Sequence, residues 1–164
     1  MLFRSAVAAL REQGVAARLI LAGHGKYEYL LRVKQLCHDL AIENQVTFPG
    51  FIEDPFPIYY QSDCVLVCSE HEAFSRVALE AMSTALPVIG KNSGGNPEII
   101  VPGETGFLYD PFDELVAGMK SMVQEREQAW QMGLAGWQRA REIFNIEDYA
   151  ANVYRVIQSV MEKR

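Results

Sequence analysis

Cys64-Val65-Leu66-Val67-Cys68-Ser69-Glu70-His71-Glu72-Ala73-Phe74-Ser75-Arg76-Val77-Ala78-Leu79-Glu80-Ala81-Met82 decides the fold. Its first five residues form a continuous apolar run of strand length, the kind buried on both faces of a parallel sheet. A polar loop follows, and then Ala78, Ala81, Met82 and Ala85 recur at helical spacing. The same alternation runs outward in both directions. Upstream lie a helix over 1–13 (Phe3, Val7, Leu10) and a strand at Ala17–Ala22 ending in Gly23-His24-Gly25. A second helix carries Leu30, Val33, Cys37 and Leu40, and Val46-Thr47-Phe48 is a short strand closed by Pro49-Gly50. Glu53–Tyr60, with two prolines, reads as a loop with a short helical turn.

Downstream, Pro87-Val88-Ile89 restarts a strand, and Asn92–Pro97 is rich in turn formers. Gly106–Tyr109 is a last strand, after which Asp110 and Pro111 read as N-cap and first residue of a helix. Two further helices follow, one with Trp130, Leu134 and Trp137, the other with Ile146, Tyr149, Val153, Ile157 and Val160. Strands alternating with helices predict an α/β domain: a parallel sheet with helices on both faces.

Composition sets outer bounds. The chain has 164 residues, 49% hydrophobic and 22% charged, which suits one packed core rather than a disordered chain. We expect a single domain over 1–164. Fifteen Lys and Arg against 21 Asp and Glu give a net charge of −6, against the basic face of a nucleic-acid binder. Apolar runs are too short to span a membrane, and Arg4, Arg11 and Glu12 interrupt the N-terminal stretch where a signal peptide would lie. The expected location is cytoplasmic. Cys64 and Cys68 would stand roughly 13 Å apart along one strand, too far to share a metal, and with Cys37 they read as small apolar residues.

Parallel sheets bind ligands beyond the carboxyl ends of their strands, which confines the search to a few loops. Gly23-His24-Gly25 would let a backbone approach an anion at a helix start. As a dinucleotide fingerprint it is incomplete, because Glu28 stands where a third glycine belongs. His24 alone reads as a turn residue, since a catalytic base needs a positioned partner. The Ser69–Arg76 loop is the more informative one. Phe74, Ser75 and Arg76 fall where free amides leave a helix start, suited to a phosphate or diphosphate. Glu80 lies about 7–8 Å further on at 1.5 Å per residue, the reach from a diphosphate to a ribose. Glu72 would face whatever the phosphate carries. The residues alone leave a second reading equally open, in which Glu72 and Glu80 are surface carboxylates. Lys91 and the Asn92–Glu98 loop could line the same cleft.

Seven residues separate Glu72 from Glu80, and the segment resembles the E-x7-E motif of retaining glycosyltransferases of family four, which have the GT-B fold. Its neighbours resemble the family in order: Gly23-x-Gly25, Val46-Thr47-Phe48-Pro49-Gly50, Pro87-Val88-Ile89, Gly94-Gly95-Asn96-Pro97-Glu98 and Gly103-Glu104-Thr105-Gly106-Phe107-Leu108. The resemblance covers nearly the whole chain and implies the C-terminal, Rossmann-like half of a two-domain GT-B enzyme, without that half's first strand. It implies a nucleotide-sugar donor and no metal or cofactor. Glu72 would contact the sugar near the transferred carbon and Glu80 the ribose. Amides of Phe74, Ser75 and Arg76 would hold the diphosphate, Gly50-Phe51-Ile52 would lie near the base, and Gly23 and Gly25 would line the cleft.

Departures from the pattern matter as well. Glu72-Ala73-Phe74-Ser75 replaces the family's Glu-Gly-Phe-Gly, and Ala85-Leu86 stand where a glycine usually precedes the P-V-I strand. The family's diphosphate-neutralising Arg and Lys precede the first helix, and the acceptor (saccharide, lipid or small molecule) is held by the other domain. The chain alone is therefore expected to bind donor weakly or not at all and to be inactive as a transferase. The helix over 147–161 is expected to pack on the second domain, leaving an apolar patch that could drive self-association. The complete protein could lie peripherally on the inner face of a membrane. Two other readings are weighed: a dinucleotide domain that binds NAD through Gly23–Gly25, and a non-catalytic interaction module of the same fold.

Overall fold

The computed structural model describes residues 2–162, so the expected domain limits at 1 and 164 lie outside the described residues. In chain order the elements are α1 (Leu2–Glu12), β1 (Leu19–Ala22), α2 (Tyr27–Asp39), a 3-10 turn at Glu43–Gln45, β2 (Val46–Gly50), α3 (Phe56–Tyr59) and β3 (Val65–Val67). They continue with α4 (Arg76–Ser83), β4 (Val88–Lys91), α5 (Asn96–Ile99), β5 (Gly106–Tyr109), α6 (Phe112–Gln124), α7 (Arg126–Ile143) and α8 (Ile146–Met161). Every ladder is parallel, as the alternation of strands and helices predicts. The strands fall into two sheets, β1-β2 and β3-β4-β5. One apolar cluster joins them, with Val7 and Leu10 of α1, Leu19 of β1, Ile89 of β4 and Leu115 and Met119 of α6 all buried in it. A second cluster seats α4 on β3 and β4 through Ala78, Ala81, Met82, Val67 and Val88.

Four local expectations change. Cys64–Cys68 is not covered on both faces: Val67 is buried, but Cys64, Val65, Leu66 and Cys68 stay partly exposed. Among the described residues β3 pairs along one edge only, with β4, so no strand beyond its open edge helps to shield its side chains. Pro49-Gly50 does not close the second strand. β2 runs through it over a register shift, with Ile20 opposite Thr47 and Ala22 opposite Gly50, so one extra residue sits on β2 and the proline needs no ladder N–H. Asp110 is not the cap of α6, whose N-cap position is Pro111 with no side-chain hydrogen bond.

Ala85 belongs to no helix stripe. It follows the end of α4 with φ +57°, the left-handed position normally filled by glycine. The Ala85 amide donates to the Met82 carbonyl at 2.9 Å and the Leu86 amide to Ala81 at 3.0 Å, the paired bonds of a Schellman ending. Helix α7 crosses here on small residues: a Cβ on Gly133 would come within 1.9 Å of the Ala85 carbonyl oxygen. The close fit of α7 on α4 fixes the helix that carries Glu80.

Helix α8 begins at Asn145, whose side chain accepts from the Asp148 amide, and none of its residues is buried. Tyr149, Val153, Val156, Ile157 and Val160 are all exposed on it. No helix of the described residues is long and apolar enough to cross a membrane.

Candidate functional site

The loop between β3 and α4 is built by two devices. Ser75, 1% exposed, is the N-cap of α4 in an ordinary extended conformation (φ −82°, ψ 93°), and its hydroxyl accepts from the Ala78 amide at 3.3 Å. Serine in place of the family's glycine therefore costs no backbone freedom and satisfies one orphan amide of the helix. The second device is the 93–95 turn after β4. The Gly95 amide donates to the Glu72 carbonyl at 2.6 Å. A Cβ on Gly94 would fall 2.3 Å from that carbonyl oxygen, and one on Gly95 would fall 2.5 Å from the Ala73 oxygen. Two glycines are needed because the loops touch backbone to backbone. Glu72 thus stands on a braced segment.

The turn is itself tied down. Lys91 Nζ donates to the Asp110 carbonyl at 2.9 Å and to its Oδ1 at 3.3 Å, while Asn92 Nδ2 donates to Asp110 Oδ2 at 2.7 Å. These bonds hold the Asp110 carboxyl below the ordinary carboxylate range, the Asn92 amide contributing most. Lys91 is consequently a structural cation and not one offered to the cleft. On the far side, Arg139 of α7 donates to the carbonyls of Ile99 (2.9 Å) and Glu98 (2.8 Å), closing the C-terminus of α5.

Glu80 lies half-buried on α4, little more than one turn beyond Ser75. Its Oε2 accepts a hydrogen bond from the hydroxyl of Tyr59, the last residue of α3, at 2.9 Å. Tyr59 is 8% exposed and its ring meets Phe56 edge-on at 6.0 Å. Burial, and then the adjacent Glu80 carboxylate, pushes the phenol above its ordinary value, so it stays a donor. Tyr59 was not among the expected site residues, because nothing in the Glu53–Tyr60 segment announces a partner 21 positions away.

The other expected residues separate into groups. Glu72 and Ser75 line a groove of about 340 Å³ together with Leu66, Cys68 and Ser69 on the β3 side and Tyr29 on α2. Gly23 and Gly50 form a second group at the carboxyl ends of β1 and β2, where the Gly23 amide donates to the Gly50 carbonyl at 2.7 Å. Phe51 is exposed there and stacks on His24 at 5.0 Å, making His24 one half of an aromatic pair and not a lone turn residue. Gly25, one residue on from His24, is exposed. Phe74 packs edge-on against Phe144 at 6.1 Å, behind α4. The Arg76 amide donates to the Phe74 carbonyl at 3.1 Å and is thereby taken, whereas among the described residues the amides of Phe74 and Ser75 donate to nothing. The arrangement leaves two amides without a partner at a capped helix start, between Glu72 and Glu80 in the chain. It suits a diphosphate ester carrying hydroxyls at both ends.

Comparison with known proteins gives this geometry its family. Residues 2–139 match the model of the glycosyl transferases, group 1. Over 99 residues the chain is 39% identical to N-acetyl-alpha-D-glucosaminyl L-malate synthase of Bacillus anthracis, covering 60% of this chain and 26% of that protein. The structure of Anabaena HepE in complex with UDP-glucose superposes with a TM-score of 0.85 at 27% identity, over 96% of this chain and 44% of that one. The C-terminal domain of a glycosyl transferase group 1 protein from Francisella tularensis superposes at 0.76 and 24% identity, over 88% of this chain and 78% of that one. The chain thus spans less than half the length of the full-length proteins it resembles, and its fold is that of a GT-B C-terminal domain. It belongs to the group 1 glycosyl transferases.

Proposed function

We propose that this chain is the donor-holding part of an enzyme that transfers a sugar from a nucleoside-diphosphate sugar to an acceptor, with retention of anomeric configuration. The observation that carries the reading is the Glu72 loop, braced by Gly95 and set beside the capped start of α4 with Glu80 one turn further on. The amides of Phe74 and Ser75 take the diphosphate, and Arg76, exposed and without an ion pair among the described residues, adds positive charge near it. Glu80 accepts from the ribose hydroxyls and Glu72 faces the sugar. The segment with Gly23, Gly25, Gly50 and Phe51 borders the base. HepE, solved with UDP-glucose, supports a donor of this chemical class.

Donor binding needs no metal in this proposal. The acceptor is a saccharide, lipid or small molecule held by the remainder of the complete protein. That protein works in the cytoplasm or against the inner face of a membrane. The chain alone binds donor weakly and does not transfer, and its exposed α8 face promotes self-association.

Calorimetric titration of UDP, GDP and ADP into the complete protein, with and without EDTA, tests the donor site. One nucleotide is expected to bind at least tenfold more tightly than the others, unaffected by EDTA. No binding of any nucleotide overturns the reading, and binding abolished by EDTA overturns its metal independence.

A further inference from the structure

We propose that Tyr59 is a positioning residue for nucleotide recognition: its hydroxyl, donated to Oε2 of Glu80 at 2.9 Å, sets the plane of the carboxylate that receives the ribose. The inference rests on the donor reading above and adds a residue to it. A glutamate side chain has three rotatable bonds, and its terminal torsion is broad and two-fold. A half-exposed carboxylate would therefore sample many orientations. Accepting from two adjacent hydroxyls of a ribose requires one of them, with both oxygens facing the diol.

Tyr59 is suited to select that orientation. It is 8% exposed while its neighbour Tyr60 is 74% exposed, so of two consecutive tyrosines one alone is turned inward. Its ring is held against Phe56, and α3 keeps the backbone beneath it in a closed turn, with the Tyr60 amide donating to Phe56 at 3.0 Å and the Tyr59 amide to Pro55 at 3.2 Å. A phenol brings one donor, so it engages one lone pair of Oε2 and leaves acceptor capacity on both oxygens. Glu80 belongs to α4, which α7 clamps at Ala85. Both ends of the hydrogen bond are thus anchored before any nucleotide arrives, which is what preorganised recognition requires.

The test is calorimetry on the complete protein with its preferred nucleoside diphosphate and the 2′-deoxy analogue of that nucleotide. Tyr59→Phe keeps the ring and removes the hydroxyl. It is expected to weaken the ribonucleotide about tenfold, the worth of one hydrogen bond to a charged group, and to leave the deoxynucleotide nearly unchanged. A merely structural lesion would weaken both equally. Glu80→Asp, which withdraws the carboxylate from Tyr59 by one methylene, should lose the same preference.

Preference kept in Tyr59→Phe or in Glu80→Asp, but lost in Glu80→Gln, overturns the role of Tyr59 and leaves the ribose reading standing. Preference kept in Glu80→Gln, or absent from the parent protein, overturns the ribose reading itself.

Discussion

Gly94→Ala puts a single methyl where the structure has no room for one. The new Cβ would stand 2.3 Å from the Glu72 carbonyl oxygen and 3.1 Å from its carbonyl carbon and amide nitrogen. Ordinary contact begins near 3.4 Å, so the Glu72 backbone must retreat by about 1.1 Å or the turn must open. Gly94 also has φ +57°, where an L-residue costs roughly 1–2 kcal/mol. Adding the roughly 1–3 kcal/mol typical of overpacking gives an expected destabilisation of about 2–5 kcal/mol. Displacing a reacting group by about 1 Å lowers turnover by about a hundredfold.

Gly103→Ala is the control, because Gly103 has φ +78° and no heavy atom within 4 Å of an added Cβ. It should lose stability through backbone strain alone and keep its turnover. The assay is steady-state release of nucleoside diphosphate by the complete protein, paired with thermal melting of each variant. Should kcat/KM of Gly94→Ala lie within threefold of Gly103→Ala, bracing of Glu72 by the Gly94-Gly95 turn is wrong.

Three further outcomes follow from the same contacts. Ala85→Gly, at φ +57° in the Schellman ending of α4, should raise stability by about 1 kcal/mol in urea unfolding, and a loss would show that the alanine methyl has a packing role. Arg139→Met should cost about 2–3 kcal/mol by stripping the Ile99 and Glu98 carbonyls of their donors, and an unchanged unfolding midpoint would remove Arg139 from the support of α5. Asp110 has a folded pKa below its unfolded value near 3.9, so its contribution is present above that pH and is lost as pH falls through the lower folded value. Urea unfolding should therefore find Asp110→Asn weaker than the parent at pH 6 and equal to it once the Asp110 carboxyl is protonated in both the folded and the unfolded state; a gap independent of pH would contradict the Lys91–Asn92–Asp110 tie.

The order of strands and helices was legible because it rests on local periodicity, and so was the position of the Glu72 and Glu80 loop at a strand end. What escaped the sequence depends on pairing in space. Cys64–Cys68 reads as a strand covered on both faces, but whether β3 has one neighbour or two is decided by chain elsewhere. Asp110-Pro111 has the composition of a helix cap, yet Lys91 and Asn92, 19 and 18 positions earlier, compete for the carboxylate and win it. Ser75 stands where the resemblance has glycine, and its value as the cap of α4 shows only once the helix start is placed. Ala85 has no local signal for a left-handed backbone; the helix end imposes it. Tyr59 is hidden for the same reason as Asp110, since one tyrosine of an adjacent pair carries no mark of the carboxylate it will meet.

The most direct test of the account is a crystal structure of the complete protein with its nucleotide-sugar donor. The account predicts ribose hydroxyls within about 3.2 Å of the Glu80 carboxylate, the diphosphate on the amides of Phe74 and Ser75, and the sugar beside Glu72. A donor bound with its ribose away from Glu80, or with its phosphates away from the start of α4, would contradict it.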